Sequence, residues 1–401
     1  SALPVVAFPS RNCQKNPMPV TIRPVVSKRE LALFLALPRR IYADFSDYVA
    51  PLDHDRAQLI DPKKSAFWTH GEAAYWIAYD AADKPVGRIS AQVDHLAIGP
   101  QHEGAGFFGC FDAIDDAEVV AALIDTARNH LAAKGKSLMR GPFTLSINAE
   151  SGLLIEGFTA PAMVLMPWHP PYLRAHLEAA GCSLVKTLNS YTFDWRGSDL
   201  AGRLGKLGME RRRKGFATRA MRMDHLAEDA ELGRVLFNGS WAANWGFVPV
   251  SPAEMAAMIK AFKPLLKSDY GVFVEKNEEV VGFALFLPNV FEITGDLGGA
   301  PSPLGWLKLA WRGLTQRFVG GRAVLFGVAP RLVGSVSGAS VSLILVDDLM
   351  RRAAITGVQD LECGWILDDN YAMTSVVEWL GAQSTRRFGV FETSIQPLRA
   401  A

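Results

Sequence analysis

Between Ser146 and Pro171 the chain reads SINAESGLLIEGFTAPAMVLMPWHPP, setting Asn148, Glu150, Glu156 and His169 around a run of Met163, Val164, Leu165, Met166 and Trp168. A few polar groups among soft apolar side chains make the composition of a pocket wall, and a carboxylate or imidazole placed there can move a proton. Core packing accounts for the apolar run equally well, and a turn could use Asn148 or Glu150. His70 and Glu72, in FWTHGEAAYW, compete with Glu150 as acid or base candidates, although a lone His is usually structural. Other chemistries lack their spacing in this sequence. There is no HxxxH pair for a metal, no dense carboxylate set for magnesium, no G-x-S-x-G elbow and no Walker loop.

The elements that must position these groups occur twice. An apolar hairpin with a Gly just inside its second strand appears as AYWIAYDAADKPVGRISAQV and again as YGVFVEKNEEVVGFALFLP, pairing Gly87 with Gly282. A helix ending in Gly and running into a strand recurs around Gly135 and Gly357, and a closing helix and strand recur around Gly181 and Gly381. A repeat of this size predicts a duplicated domain rather than a solenoid. The unequal spacing of the matched glycines places one insertion near Ser146 to Pro171 and another near Asn289 to Gly320. The first half opens with the strand VTIRPV and a helix signalled by Ser27 and Glu30, and Asp115 and Asp116 can cap the helix after GFFGCFDA. The second opens with FATRAMRM and a helix from Leu226 to Trp241. Mixed strands with helices between them predict an α+β fold, each half a central sheet flanked by helices.

Composition agrees with two domains. The chain has 401 residues, more than one core usually supports, with 49% hydrophobic and 21% charged residues and a net charge of +1. No global field advertises nucleic acid. Cys13, Cys110, Cys182 and Cys363 are scattered, which favours buried free thiols in a reducing, cytoplasmic setting. Lys308, Arg312 and Arg317 interrupt the most apolar region, so no run approaches a membrane span. The expected layout is a flexible tail over 1–18, a first domain over 19–198, a basic linker over 199–215 and a second domain over 216–398. The tail lacks the charged start and apolar core of a secretory signal.

Two surface features carry further possibilities. Arg203 to Arg222 holds eight Lys/Arg against one acidic residue, either a solvated linker or a contact for phosphates or an acidic partner. In PSPLGWLKLAWRGLTQRFVGG, Leu304, Leu307, Trp311, Leu314 and Phe318 recur at three- and four-residue intervals, with Lys308, Arg312 and Gln316 on another face. That is the profile of an interfacial anchor or lipid gate, or of a helix packed on its own domain.

The order of elements and the ending LECGWILDDNYAMTSVVEWLGA resemble the acyl-CoA N-acyltransferase (GNAT) superfamily. The phrases YVAPLDHDRAQLIDPKKSAFW, RGPFTLSINAESGLLIEGF, PAMVLMPWHPPY and NWGFVPVSPAEM together resemble its two-domain family of Gram-negative bacteria, the group that includes the bacterial ceramide synthase. The resemblance spans Val20 to Glu392. It implies tandem GNAT-like domains and transfer of a long acyl chain from acyl-CoA or acyl carrier protein to the amine of a sphingoid base, at the inner-membrane surface and without a permanent cofactor or metal. Alternatives are an N-acyltransferase for amino acids or another small amine, and a catalytically silent lipid-binding protein.

The resemblance also implies site residues. In VLFGVAPRLVGSVSGASVSL the family's phosphate-binding motif falls on Arg331, Gly334 and Val336, with Ser335 and Gly338 inside the loop and Val328 at the end of the strand before it. Backbone N–H groups there, backed by a helix dipole, would hold a pyrophosphate. Val336 departs from the small residue usual at its position. An oxyanion donor is implied near Phe326 to Val328, a general base at Glu362, and groups meeting pantetheine or sulfur at Asn370 and Tyr371. Asn370 could equally be a plain helix cap. Trp241, Asn244 and Trp245 fall where such folds line the acceptor side. Asp112, Asp115 and Asp116 stand at the matching place in the first half and would repel a pyrophosphate, so that half is expected to complete the acceptor pocket.

Overall fold

Ser27 accepts a hydrogen bond from the Glu30 N–H while Glu30 accepts from the Ser27 N–H, a reciprocal cap that starts the first helix where the sequence predicts it. In the computed structural model, which describes residues 20–194 and 215–396, the first half runs β1 (Thr21–Pro24), α1 (Lys28–Ile41), α2 (Asp53–Ile60), β2 (Gly71–Tyr79), β3 (Pro85–Asp94), β4 (Ala105–Ala113), α3 (Ala117–Ala133), β5 (Leu138–Gly141), β6 (Leu153–Glu156), α4 (Tyr172–Ala179) and β7 (Ser183–Asp194). Asp116, not Asp115, caps α3. The second half repeats the plan with β8 (Phe216–Ala220), α5 (Leu226–Trp241), α6 (Pro252–Phe262), β9 (Gly271–Lys276), β10 (Glu279–Pro288), α7 (Pro303–Thr315), β11 (Gly320–Val328), α8 (Val336–Thr356), β12 (Asp360–Leu367), α9 (Tyr371–Trp379) and β13 (Gln383–Ser394). All the tail expected over 1–18 and nearly all the basic linker lie outside the described residues.

The result is the expected α+β architecture, but the two sheets are one. A 13-stranded sheet runs β1-β2-β3-β4-β5-β13-β7-β12-β11-β10-β9-β8, with β6 also pairing β13. The last strands are exchanged. The second half's β13 pairs β5 of the first half, and the first half's β7 pairs β12 of the second. β7 and β13 then pair with each other from Gln383 opposite Thr192 to Glu392 opposite Ser183, closing the seam.

Helices cover both faces of the first half. Val119, Leu123 and Ala127 of α3 pack on Ile89 and Ala91 of β3, while Phe34 and Leu37 of α1 pack with Tyr75 and Ile77 of β2 in a separate cluster. In the second half, residues of α5 and α8 share one cluster with Val272, Phe283 and Ala284. The first insertion fills the seam, where Met163, Val164 and Met166 meet Leu188, Phe388 and Val390.

Within each half one parallel strand pair is held together at one end only. β4 and β5 are in register from Ala105 and Leu138 to Phe107 and Arg140, and β11 and β12 from Gly320 and Asp360 to Ala323 and Cys363. Beyond those residues the strands part, and each half carries a V-shaped opening in the sheet.

Candidate functional site

Each opening holds a cavity. The larger, about 370 Å³, lies in the V between β11 and β12 and reaches between α8 and α9, with walls of Val324, Phe326, Val346, Met350, Met373 and Leu380. Its polar wall groups include Glu254, Asn148 and the guanidinium of Arg322. Arg322 is 3% exposed and donates to the carbonyls of Gly364, Val164 and Leu165, tying β11 to the first insertion. Burial pulls its pKa down to about 10. The smaller cavity, about 250 Å³, lies in the V between β4 and β5. Around it stand the ion pairs of Arg88 with Asp112 and of Arg56 with Glu150, with His169 on the same wall.

At the mouth of the second-half V the chain forms the predicted loop and helix start. Gly334 has φ +75°, a conformation other residues rarely adopt. Ser335 caps α8 by accepting from the Gly338 N–H at 3.0 Å. A Cβ on Gly338 would stand 2.0 Å from the Leu332 carbonyl oxygen, so the turn closes only over glycine. The first N–H groups of α8 have no intrahelical acceptor and carry the positive end of its dipole. Val336 is 87% exposed, so its bulk costs the loop nothing. Arg331 is engaged by Glu279 at 2.6 Å on the surface.

Along β11 the amides face β10 and the V in alternation. Phe326 and Val328 face the V, because their carbonyls accept from Trp241 Nε1 and Ser240 Oγ of α5. The Val328 N–H, within the stretch expected to supply the oxyanion donor, donates to Ser240 Oγ at 2.7 Å and is already used. The Phe326 N–H, on the same edge, is the amide turned toward the cavity.

Glu362, expected as a candidate general base, lies away from both cavities. The sequence makes it a general base, but its side chain is buried, paired with Arg386 and accepting from Ser190, and it forms no part of either cavity wall. A carboxylate held this way ties β12 to β7 and β13. Tyr371 is 74% exposed at the first turn of α9 and lines neither cavity. Asn370 caps α9 through the Met373 N–H. Glu72 pairs with Lys134 on the surface and Glu156 with Arg387, both outside the cavities.

Of the other expected residues, Glu150 lines the smaller cavity and Asn148 and Trp241 the larger. Burial pushes the Glu150 carboxyl upward, but the Arg56 charge and the bonds from Arg56 and Thr144 outweigh it and hold the group below the usual carboxylate range. Asn148 Nδ2 donates to the Val248 carbonyl, fastening the first insertion to the segment after α5. Trp245 stacks under Arg140 at 4.6 Å and lines neither cavity, nor does Asn244. His70 stands behind the larger cavity, its Nδ1 3.0 Å from Asp94 and its Nε2 3.3 Å from Glu254, which does line it.

Sequence reasoning missed Arg56, Thr144, Ser240, Glu254 and Arg322. Glu254 was half visible, since Ser251 and Glu254 form a capping box that starts α6. Arg56, Ser240 and Arg322 meet partners distant in sequence, and Thr144 meets Glu150 six residues on, at a spacing that marks no regular element.

His169 is a fully buried imidazole whose Nδ1 accepts from the Leu154 N–H, so its proton sits on Nε2. Burial pushes its pKa down to about 4. The folded pKa is therefore depressed, and between the ordinary value near 6.5 and about 4 only the unfolded chain takes a proton. Stability from this group is present above that window and lost as pH falls through it. Urea denaturation at pH 7.5 and 5.0 should show a loss of about 2 kcal/mol that His169→Gln removes.

Compared with known proteins, the chain is 34% identical to protein YghO of Escherichia coli K12 over 374 residues, 93% of this chain and 95% of the relative. It is 33% identical to the bacterial ceramide synthase of Caulobacter vibrioides over 380 residues, 94% and 98% of the two chains. Among solved structures, a tandem GNAT protein from the clavulanic acid biosynthesis pathway superposes with a TM-score of 0.57 at 11% identity, covering 95% of this chain and all of that one. A GCN5-related glucosamine N-acetyltransferase region of a fungal GH3 β-N-acetylglucosaminidase gives 0.56 at 12% identity, over 95% of this chain and 39% of the other. At those identities the fold alone is shared. No family model matches the chain.

Proposed function

We propose a substrate from a fixed premise: this chain belongs to the family of bacterial ceramide synthase and protein YghO, the tandem-GNAT N-acyltransferases. The acceptor proposed is the amine of a sphingoid-type long-chain base, and the donor a long-chain acyl thioester of coenzyme A or acyl carrier protein. The observation that carries this reading is the apolar chamber between β11 and β12, which has room for a long acyl chain where a small acyl group would need none.

Several residues support the chemistry. The loop from Arg331 to Gly338 offers backbone N–H groups and a helix dipole to the donor's phosphates. The amine nitrogen attacks the thioester carbonyl, the N–C bond forms, the C–S bond breaks, and the thiolate leaves with the proton that nitrogen gives up. The Phe326 N–H is the proposed donor to the oxyanion. Tyr371 and His70 do not line the chamber, so neither is assigned a proton-transfer step.

The product test is mass spectrometry after incubating the protein with palmitoyl-CoA and sphinganine, its 3-keto form, amino acids or polyamines. An N-acylated long-chain base and free thiol are expected. Acylation confined to amino acids or polyamines would overturn the substrate.

The site of action proposed is the cytoplasmic face of the inner membrane. Among the described residues no helix is long and apolar enough to cross a membrane. Leu304, Leu307, Trp311 and Leu314 nevertheless present an apolar stripe of α7 to solvent, each at least 67% exposed. Phe318, expected to continue the stripe, lies beyond the helix and is buried. Lys308 and Arg312 both pair with Asp296, so the basic face is held to its own domain and the apolar stripe is left facing outward. Such a helix attaches through buried apolar area. Sedimentation with neutral phosphatidylcholine vesicles should succeed for the wild type, depend little on salt, and fall sharply in Leu307→Glu/Trp311→Glu. Unchanged sedimentation of the variant would overturn the membrane contact.

A further inference from the structure

We infer that the first half's own V, the smaller cavity, is the chamber for the lipid amine, with the amino head at Glu150 and Thr144 and the tail leading past Ala50 and Phe291 toward the exposed face of α7. This rests on the acyltransferase reading above and assigns its two substrates to two chambers.

Duplication made two copies of the same opening, and only one kept the features that suit a phosphorylated donor. After β11 the chain supplies a glycine turn and the N-terminus of α8. After β4 it supplies Asp115, exposed, and Asp116, whose carboxylate already takes the Glu118 and Val119 N–H groups. Asp112 stands on the cavity wall itself, paired with Arg88. The wall's arginines, Arg39, Arg56, Arg88 and Arg386, are each paired with a carboxylate, so they offer a diphosphate no unpaired cation.

The two chambers share a wall. Gln58, Leu59, Thr144, Leu165, Ala261 and Phe262 border both, so the two chambers adjoin there on one side of a common layer of side chains. Glu150 is placed at this boundary by its bond from Thr144 Oγ1 at 2.9 Å. Its carboxylate, already neutralised by Arg56, accepts a hydrogen bond from the neutral amine, and an ammonium form leaves its extra proton in solvent before it enters. Away from Glu150 the cavity passes between apolar groups of Val49, Ala50 and Pro51 on one side and Val290 and Phe291 on the other.

That far end adjoins the helix proposed to meet the bilayer. The Asp53 N–H donates to the Gly299 carbonyl at 2.8 Å, and the His54 ring lies edge-on to Trp306 of α7 at 6.2 Å. The segment leading into α7 thus sits on the loop that forms the rim of the chamber. A lipid amine leaving a membrane at α7 can enter head first, with its tail last to lose apolar surroundings. The donor, with its phosphates in water, approaches from the opposite half.

The test is photolabelling with a sphinganine that carries a diazirine in its tail, followed by peptide mapping, alongside steady-state kinetics of two variants. Labels are expected on residues 49–51 and 290–291. Ala50→Trp should raise KM for the lipid amine by about tenfold and leave KM for palmitoyl-CoA in place, and Val346→Trp, in the larger cavity, should do the reverse. Labels on Met350 or Met373, labels at neither chamber, or a rise in donor KM from Ala50→Trp would each overturn the assignment. Labelling is read without turnover, so it separates this assignment from the product test. A protein labelled at 49–51 that acylates no long-chain base keeps the chamber and loses the proposed function.

Discussion

Replacing Arg386 by leucine should destabilise the protein by about 3–5 kcal/mol, the cost of leaving a buried charge without its partner. The guanidinium is paired with Glu362, which is 2% exposed, and also donates to the Pro161 carbonyl of the first insertion. Its loss strands one carboxylate between β12 and β13 and removes a donor from the loop that walls both cavities. Urea denaturation monitored by tryptophan fluorescence reads the effect. The double variant Arg386→Leu/Glu362→Leu should recover most of the loss, because two apolar side chains of similar length replace the pair without leaving a bare charge. A general base at Glu362 would behave otherwise. The double variant would then be stable and inactive, whereas a structural anchor predicts that activity returns with stability.

The second large effect is expected at Gly338. Valine there would drive a Cβ against the Leu332 carbonyl and force the turn from Pro330 to Gly334 away from α8. A displacement of about 1 Å in a binding loop can cost on the order of a hundredfold, so kcat/KM for the acyl donor should fall by about that factor. The effect should appear mainly in donor KM, since the loop lies at the mouth of the V and not at the amine. Gly334→Ala should cost about 1 kcal/mol of stability through its left-handed backbone, with a smaller kinetic effect. Stopped-flow binding of a non-hydrolysable acyl-CoA ether separates the two. Unaltered donor affinity in Gly338→Val would remove the phosphate role from the loop.

Much of the fold was legible because its signals are local. Ser27 with Glu30, Leu226 to Trp241, and the paired hairpins announce helix starts and strand pairs within a few residues. The three matched glycine pairs each fall where the repeat places them. The exchange of β7 and β13 was not legible, because both strands have the same alternating pattern and either could complete either sheet. Their partners are chosen by the seam, where Arg386, Ser190 and Glu362 meet from three strands. The same distance hid Arg322, whose acceptors Val164 and Leu165 lie far from it in sequence. The surroundings of Glu362 were hidden for a related reason. Nothing near Glu362 in sequence shows that Arg386, two strands away in the sheet, reaches its carboxylate.

The crossing of the last strands sets an order on the making of this protein. A chain leaving the ribosome has β1 through β5 available early, yet the edge of β5 has no neighbour until β13, the final strand, is released. Domains that fold one after another during synthesis hide their apolar faces as they appear. Here the β5 edge lacks its native neighbour while the whole second half is synthesised, exposed to pairing with other nascent chains. The two halves accordingly cannot be produced as separate folded pieces, and a stop codon just before Gln383 would undo the first half as surely as the second.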